Sequence, residues 1–508
     1  MIRIAVLVIL ALLCVELSAS LYITLARAAL PFADNGWADH AQIYALVRMA
    51  QGGPAYTAPI ELNSYIYGPL YLWVVNALRA LMGVPPGIVV LRSISMALGF
   101  LSLVPLLAVT AIIAPLAGIE RRSSPQFMLA LLATAIVGIC TITHDLTFNT
   151  LHPDVLLFLI VATTLALYFA LARSAIRREW LAAFVPLCVL AFLTKSNAVC
   201  FVPILIFAHV WAKRISWQVA FVVIAGALAA SAIAFVALPQ DVKIWTLIIP
   251  ASEPISVERT YQIFIDLFGS RDGVYVNFIG AMLVATVVTG YAICARSGKE
   301  WAILIGGALV AAIITAIPAF LKQGGTWNNL VLIAVCCVPF TGLLVALPFR
   351  ATTAGTLSRG LSYIGAAALA LMTLSFALSN QQTPRALDVE HLANARAFAE
   401  RLCRDHPKDR VYTTLFPDLF FGCPNSLYHS QWAIGDISWA APNFTIGTTV
   451  DADPHTRYAA YVVSPHFGSP QWLLSNYSPI WSTPVIVGEW YTQYDHVPLT
   501  FYERKPGR

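Results

Sequence analysis

The sequence predicts an α-helical protein that crosses a membrane many times and carries a small soluble domain at its C-terminal end. Three observations predict this architecture. Hydrophobic residues make up 58% of the chain and charged residues 11%, against about 25% charged residues in ordinary soluble domains. The apolar residues gather in about eleven runs long enough, or nearly so, to cross a bilayer. The charge also changes character near Ser379: residues 1–379 hold 21 Lys and Arg against 14 Asp and Glu, whereas residues 380–508 hold 10 against 12 and are rich in proline and aromatic residues. Residues 1–379 are therefore read as a membrane module and 380–508 as a soluble unit. The net charge of +5 is too small to point to nucleic acid.

A spanning helix needs about 20 mostly apolar residues. The runs that meet this are 4–24, 91–117, 127–143, 153–172, 180–194, 198–212, 217–238, 276–294, 301–321, 328–349 and 361–379. Arg3 followed by an apolar stretch to Leu13 imitates a signal peptide, but the stretch continues to Ile23. An uncleaved first span is expected instead. The runs 180–194 and 198–212 are short and suit a tight hairpin or a small tilt.

Residues 65–82 are apolar enough to raise the question of a further span. The excess of Lys and Arg on cytoplasmic loops decides it. If 65–82 does not cross and the N-terminus is cytoplasmic, then Arg121/Arg122, Arg173/Arg177/Arg178, Lys213/Arg214, Arg296/Lys299 and Arg350/Arg359 all fall inside. If it crosses, every one of these clusters moves outside. Residues 65–82 are therefore expected to be interfacial or re-entrant on the outer side, where their Tyr and Trp content belongs. The same topology places every Asp before residue 379 outside: Asp34, Asp39, Asp145, Asp154, Asp241, Asp266 and Asp272. Carboxylates gathered on one face suggest a site there, although short inner loops that select for Lys and Arg give the same pattern.

The first outer loop, about residues 26–91, is far longer than the usual ~4–6 residues. From Ala38 to Gln51 its apolar residues recur at helical spacing (Ile43, Leu46, Val47, Ala50), so Asp39 sits near the start of an amphipathic helix. The positive end of the helix dipole favours a carboxylate there, and simple N-capping is the alternative use. The second outer loop ends in His152-Pro153-Asp154 before a span. Proline suits the first helical turn, and an acid at a membrane boundary is often functional. Arg92, Lys195 and Lys322 fall on the same face; Lys322 opens the stretch Lys-Gln-Gly-Gly-Thr-Trp-Asn328-Asn. Each cation alone reads as a snorkelling helix-end residue. Together, with backbone N–H groups presented by paired glycines, they suit a lipid phosphate headgroup.

These segments resemble the GT-C superfamily of membrane glycosyltransferases, in particular the branch of protein O-mannosyltransferases and the lipid A aminoarabinose transferase (glycosyltransferase family 39-like). The resemblance rests on Ala38-Asp-His-Ala-Gln-Ile-Tyr44 with Gly52-Gly-Pro-Ala-Tyr56, on Tyr67-Gly-Pro-Leu-Tyr71, on His152-Pro-Asp154, on Leu190-Ala-Phe-Leu-Thr-Lys195, and on Lys322-Gln-Gly-Gly with Asn328. It covers residues 1 to about 350. Two departures stand out: the usual Asp-Glu pair is Asp39-His40 here, and Ser196 follows Thr-Lys in place of Gly.

The resemblance implies transfer of a sugar from a polyprenyl-phosphate carrier to an envelope glycan, lipid or protein acceptor outside the cytoplasm, by an inverting-type displacement. It implies Asp39 as the base, with Asp34 as the alternative. It makes Asp154 a second, acceptor-orienting acid, and Arg92, Lys195 and Lys322 phosphate contacts. His40, Tyr67, His152 and Asn328 would line the acceptor or donor pocket. No compact ligand cluster compels a metal; a divalent ion is left open at Asp39, His40 and Asp154. The implied location is the inner (plasma) membrane, with the N-terminus cytoplasmic and the C-terminal domain extracytoplasmic. A transporter or flippase for a lipid-linked substrate is the competing class. It would show internal repeats and broken midplane helices, whereas this chain has no evident repeat and gathers its acids at one face.

In the tail, 390–404 has a helical apolar face (Leu392, Ala395, Phe398, Ala399, Leu402), while 410–416 and 458–463 read as strands. A small α/β or α+β domain is expected. Cys14, Cys140, Cys188, Cys200, Cys294, Cys336 and Cys337 lie in or beside apolar runs and behave as small apolar residues. Cys403 and Cys423 remain in the tail. In an oxidising compartment they are expected to pair, closing a loop of about 20 residues for roughly 3 kcal/mol.

Overall fold

The computed structural model describes residues 2–28, most of 42–57, 66–119, 124–144, 151–255, 271–322, 327–349 and 356–381, a few single positions excepted. In the tail it describes parts of 397–405 and the stretches 411–413, 428–430, 460–463, 477–482, 486–487, 496–497 and 500–505. Asp34, Asp39, His40, Asp145, Asp266 and Cys423 lie outside the described residues, as do the side chains of Asp272 and Asn328.

The main helices are α1 (Ile2–Ala28), α2 (Leu70–Leu81), α3 (Ile88–Leu101), α4 (Leu103–Ile113), α5 (Pro125–His144), α6 (Asp154–Ala172), α7 (Phe184–Thr194), α8 (Phe201–Trp211), α9 (Trp217–Ala237), α10 (Arg271–Ser297), α11 (Glu300–Leu321), α12 (Val331–Ala346) and α13 (Thr356–Gln381). Among the described residues, eight helical segments are long and apolar enough to cross a membrane. They are Arg3–Tyr22, Ile88–Ala117, Pro125–Thr143, Asp154–Ala172, Trp217–Ala237, Asn277–Ser297, Glu300–Leu321 and Val331–Phe349. The chain is a multi-pass membrane protein.

The other three predicted spans meet shorter apolar helices, Glu179–Thr194, Ser196–Trp211 and Tyr363–Leu378. The first two are cut short because Lys195 is extended (φ −142°, ψ 122°) between α7 and a 3₁₀ turn at Ser196–Cys200. The doubtful run 65–82 yields only α2, whose 12 residues rise about 18 Å, well short of a ~30 Å hydrocarbon core.

Helix α12 is the axis of the bundle. All 16 of its residues are buried, as expected of a helix that is apolar on every side. It packs on α5, α6, α10 and α11. The approach to α5 is close enough that a Cβ at Gly342 would overlap Thr134. Small residues at such crossings let helices meet where the lipid supplies no hydrophobic drive. Helices α1 and α9 turn large apolar side chains outward, among them Leu7, Leu12 and Val15, and Phe221, Val222 and Ile233. Hydrocarbon is the solvent these side chains fit.

At one end of the bundle, arginines complete helix C-termini. Arg3 Nε donates to Pro348 O and Arg173 Nη1 to Ile112 O, both at 2.8 Å. Arg214 Nη2 lies 3.7 Å from Glu300 Oε1. Cations there answer the unpaired carbonyls and the negative end of the helix dipole.

The tail strands are β1 (Val411–Thr413), β2 (Tyr428–Ser430), β3 (Ala460–Val463), β4 (Tyr477–Ser482), β5 (Ile486–Val487), β6 (His496–Val497) and β7 (Thr500–Arg504). Five of them form a mixed sheet in the order β2-β1-β3-β7-β4. In it β1 runs parallel to β2 and β3, and β7 runs antiparallel to β3 and β4. Strands β5 and β6 form a separate antiparallel pair. Helical residues at 397–405 precede the sheet. Cys403 is disulfide-bonded, and the seven cysteines of the membrane module are free.

Candidate active site

The site lies where the N-terminus of α6, the C-terminus of α7, the segment before α2 and the segment before α12 meet. Pro153, with φ −65°, starts α6, and Asp154 is its first helical residue. The Asp154 carboxylate is engaged by two neighbouring side chains. Its Oδ1 lies 2.6 Å from Lys195 Nζ, and its Oδ2 lies 3.0 Å from His152 Nδ1. Asp154 and His152 are 0% exposed and Lys195 5%. A buried carboxylate needs such partners, since an uncompensated charge in a low dielectric is very costly.

Lys195 reaches Asp154 because its extended backbone breaks the helix and turns the side chain into the bundle. Its ammonium also donates to Asn329 Oδ1 at 3.2 Å and sits 5.1 Å from the centre of the Tyr67 ring. His152 Nε2 lies 3.1 Å from Tyr67 Oη, with the two rings edge to face at 4.8 Å. The backbone N–H of Asp154 is 3.4 Å from His152 Nδ1. There Nδ1 faces the backbone donor, while the shorter contact, 3.0 Å, is with the Asp154 carboxylate.

The Tyr67 segment is fixed by backbone contacts. Gly68 N–H donates to Thr194 O at 3.0 Å, covering an otherwise open carbonyl at the end of α7. A Cβ at Gly68 would overlap Leu193 O, so only glycine permits this approach. Tyr56 Oη donates to Tyr67 O. Trp245 Nε1, from a π-turn at Ile244–Ile248, donates to Thr57 O at 2.8 Å. The first loop is thus tied to α2, α7 and the segment after α9.

Arg92 is 1% exposed and lies one helical turn before Ser95, whose Oγ is 3.1 Å from Tyr71 Oη. It therefore shares the face of α3 that meets α2. Lys322 engages a different set of groups. It follows α11, donates to Pro250 O and pairs across an isolated antiparallel bridge with Ile255. Glu253 is 8% exposed. Burial pushes its carboxyl up to about 7 against the pull of Lys322, and burial lowers the Lys322 ammonium against the pull of Glu253.

Four of the sequence-derived residues, Tyr67, His152, Asp154 and Lys195, therefore form one cluster, buried except for the half-buried Tyr67, and Arg92 lies on the face of α3 that meets α2. Asp39, its alternative Asp34, and His40 fall outside the described residues, as does the Asn328 side chain. Two participants escaped sequence reading. Asn329 is the neighbour of Asn328, and the Asn pair in Trp327-Asn-Asn329 was its only signal. Glu253 is a lone acid before Pro254 and belongs to no motif. Among the described residues no group of three or more His, Cys, Asp or Glu side chains is gathered for a metal, and both Asp154 oxygens already face Lys195 and His152.

This fold is found in other solved membrane proteins. Two solved structures share it along most of this chain. ArnT from Cupriavidus metallidurans bound to undecaprenyl phosphate superposes with a TM-score of 0.50 at 13% identity, covering 96% of this chain and 97% of that one. The Archaeoglobus fulgidus oligosaccharyltransferase tethered to an acceptor peptide gives 0.52 at 10% identity, covering 92% of this chain and 70% of that one. No protein-family model matches the sequence, and no curated protein matches it.

Proposed function

We propose that this protein is a glycosyltransferase that moves a sugar from a polyprenyl-phosphate carrier to an acceptor on the extracytoplasmic side of the membrane. The observation that carries the reading is the Tyr67–His152–Asp154–Lys195 cluster. It is assembled from three of the segments that resemble the GT-C pattern and sits in a bundle with that fold. The solved ArnT holds undecaprenyl phosphate, which supports a lipid phosphate as the leaving group here.

In this reading the acceptor hydroxyl oxygen attacks the anomeric carbon of the sugar. The bond from that carbon to the phosphate oxygen breaks, and its electron pair leaves with the polyprenyl phosphate. The hydroxyl proton passes to Asp39, since a carboxylate within reach is the base such a nucleophile needs. One displacement inverts the anomeric centre. The sugar passes through oxocarbenium character while the phosphate gains charge, and Lys195, Arg92 and Lys322 offset that charge. Asp154 is held by Lys195 and His152, so it orients the site and does not take the proton. In this reading the protein lies in the inner membrane, as the resemblance implies, and the charge pattern supports a cytoplasmic N-terminus and an extracytoplasmic domain at 380–508.

The test is mass spectrometry of lipid-linked sugars in cells lacking the protein. A polyprenyl-phosphate sugar should accumulate and disappear on complementation. Asp39→Asn should fail to clear it, whereas Asp34→Asn should clear it. No accumulation at all would overturn the reading, and the reverse pattern would move the base to Asp34.

A further inference from the structure

We infer that His152 is a positioning residue, locked in its Nδ1–H tautomer by Tyr67, that clamps the Asp154 carboxylate so that Lys195 presents one N–H toward an anionic headgroup. The inference rests on the proposed function for the identity of the anion but not for the geometry.

The carboxylate has two oxygens with separate duties: Oδ2 at 3.0 Å from His152 and Oδ1 at 2.6 Å from Lys195. The terminal torsion of a carboxylate is broad and roughly two-fold, and the His152 contact on Oδ2 restrains it. An ammonium has three N–H donors and no acceptor. Among the described residues, Asn329 Oδ1 accepts one of them at 3.2 Å, Asp154 Oδ1 faces the ammonium as its counter-charge at 2.6 Å, and the Tyr67 ring flanks the group at 5.1 Å. The direction of the third N–H is then set by where Asp154 and Asn329 stand. Lys195 is 5% exposed, so a partner for this donor has to reach it inside the bundle.

The tautomer follows from the same contacts. A neutral imidazole has one donor and one acceptor nitrogen. In this inference the Nδ1 proton lies in the 3.0 Å contact with Asp154, shorter than the 3.4 Å contact with the backbone N–H, which leaves Nε2 to accept from the Tyr67 hydroxyl at 3.1 Å. Tyr67 is fixed in turn by Tyr56 on its carbonyl and by the Gly68 contact to Thr194. The groups facing His152 among the described residues are Tyr67, Asp154 and, behind Asp154, Lys195. His152 and Tyr67 thus act through Asp154 and Lys195, not as walls of the sugar pocket, which is the role the resemblance implied for them.

Two measurements test this. ¹⁵N NMR of histidine-labelled protein in nanodiscs, with the His152 signal assigned by its loss in His152→Asn, should show Nδ1–H. An Nε2–H tautomer would overturn the proposal whatever the protein does. The second measurement is kinetic, using as probe the lipid extract of cells lacking the protein. His152→Ala should lower kcat roughly 10- to 100-fold, the scale expected for a displaced reacting group, with KM little changed. His152→Asn keeps an amide donor near Nδ1 and should restore much of that loss. In a Lys195→Met background His152→Ala should cost nothing further, since residues that act as one unit are not additive. Independent, additive losses, or a His152→Asn protein as impaired as His152→Ala, would refute the clamp. A wild-type protein that forms Nδ1–H but transfers no sugar would leave the clamp standing and overturn the proposed function.

Discussion

Replacing Lys195 with Met removes an ammonium from a buried carboxylate while keeping most of the stem volume. The pair is separated by 2.6 Å, with 5% and 0% of the two residues exposed. At an effective dielectric of about 20, that separation corresponds to roughly 6 kcal/mol of attraction. Much of it offsets desolvation, so truncating one partner of such a pair costs about 3–5 kcal/mol. His152 remains against Oδ2, which sets the expected loss near the lower end. Asp154→Asn with Lys195→Met removes both charges and leaves His152 and Tyr67 in place. That double variant should regain most of the stability, with a coupling of at least about 2 kcal/mol between the sites. Buried Cys140, Cys336 and Cys337 supply the assay: a thiol-reactive dye reports their exposure on heating in detergent. If the double variant is destabilised by the sum of the single losses, or Lys195→Met is as stable as wild type, the pair is not the buried, coupled unit described here.

Gly68→Ala should cost more than the 1–3 kcal/mol typical of overpacking, because its Cβ meets backbone at Leu193, and it should lower activity with it. Dye melts and donor clearance measure both. Glu253 has its carboxyl raised to about 7 from an ordinary value of 4.5, so the folded state holds a proton that the unfolded state has lost. Stability should therefore fall as pH rises from about 4.5 to 7 and level off above, and Glu253→Gln should flatten that slope in melts between pH 5 and 8. Cysteines placed at Gly83 and Arg121 should label from opposite sides of the membrane; labelling from the same side would overturn the proposed topology. Non-reducing peptide mapping should join Cys403 to Cys423, and any other partner for Cys403 would remove the expected tail loop.

The eight spanning helices were legible because each is long, apolar and nearly free of charge, and in hydrocarbon the backbone can satisfy itself only within the helix. The boundary of α6 was legible because Pro153 presets its first turn. The three segments that supply Tyr67, His152-Asp154 and Lys195 were legible as motifs, but not their mutual roles. His152 and Tyr67 read as pocket residues because sequence carries no direction for a ring nitrogen. Asn329 and Glu253 were missed because a single amide or acid in a loop has no period and no partner until the chain folds. Asp39 rests on sequence alone.

Composition and periodicity determined by themselves that this chain lives in a membrane and where its helices run, because burial in hydrocarbon is a local requirement that each helix meets alone. Only the tertiary structure decided that Asp154 pairs with Lys195 and His152, and that glycine is required at position 68. A buried charge must find its counter-charge somewhere in the fold, and these partners come from segments 41 and 85 residues away from Asp154 and His152 respectively. Nothing local in the sequence specifies such a pairing.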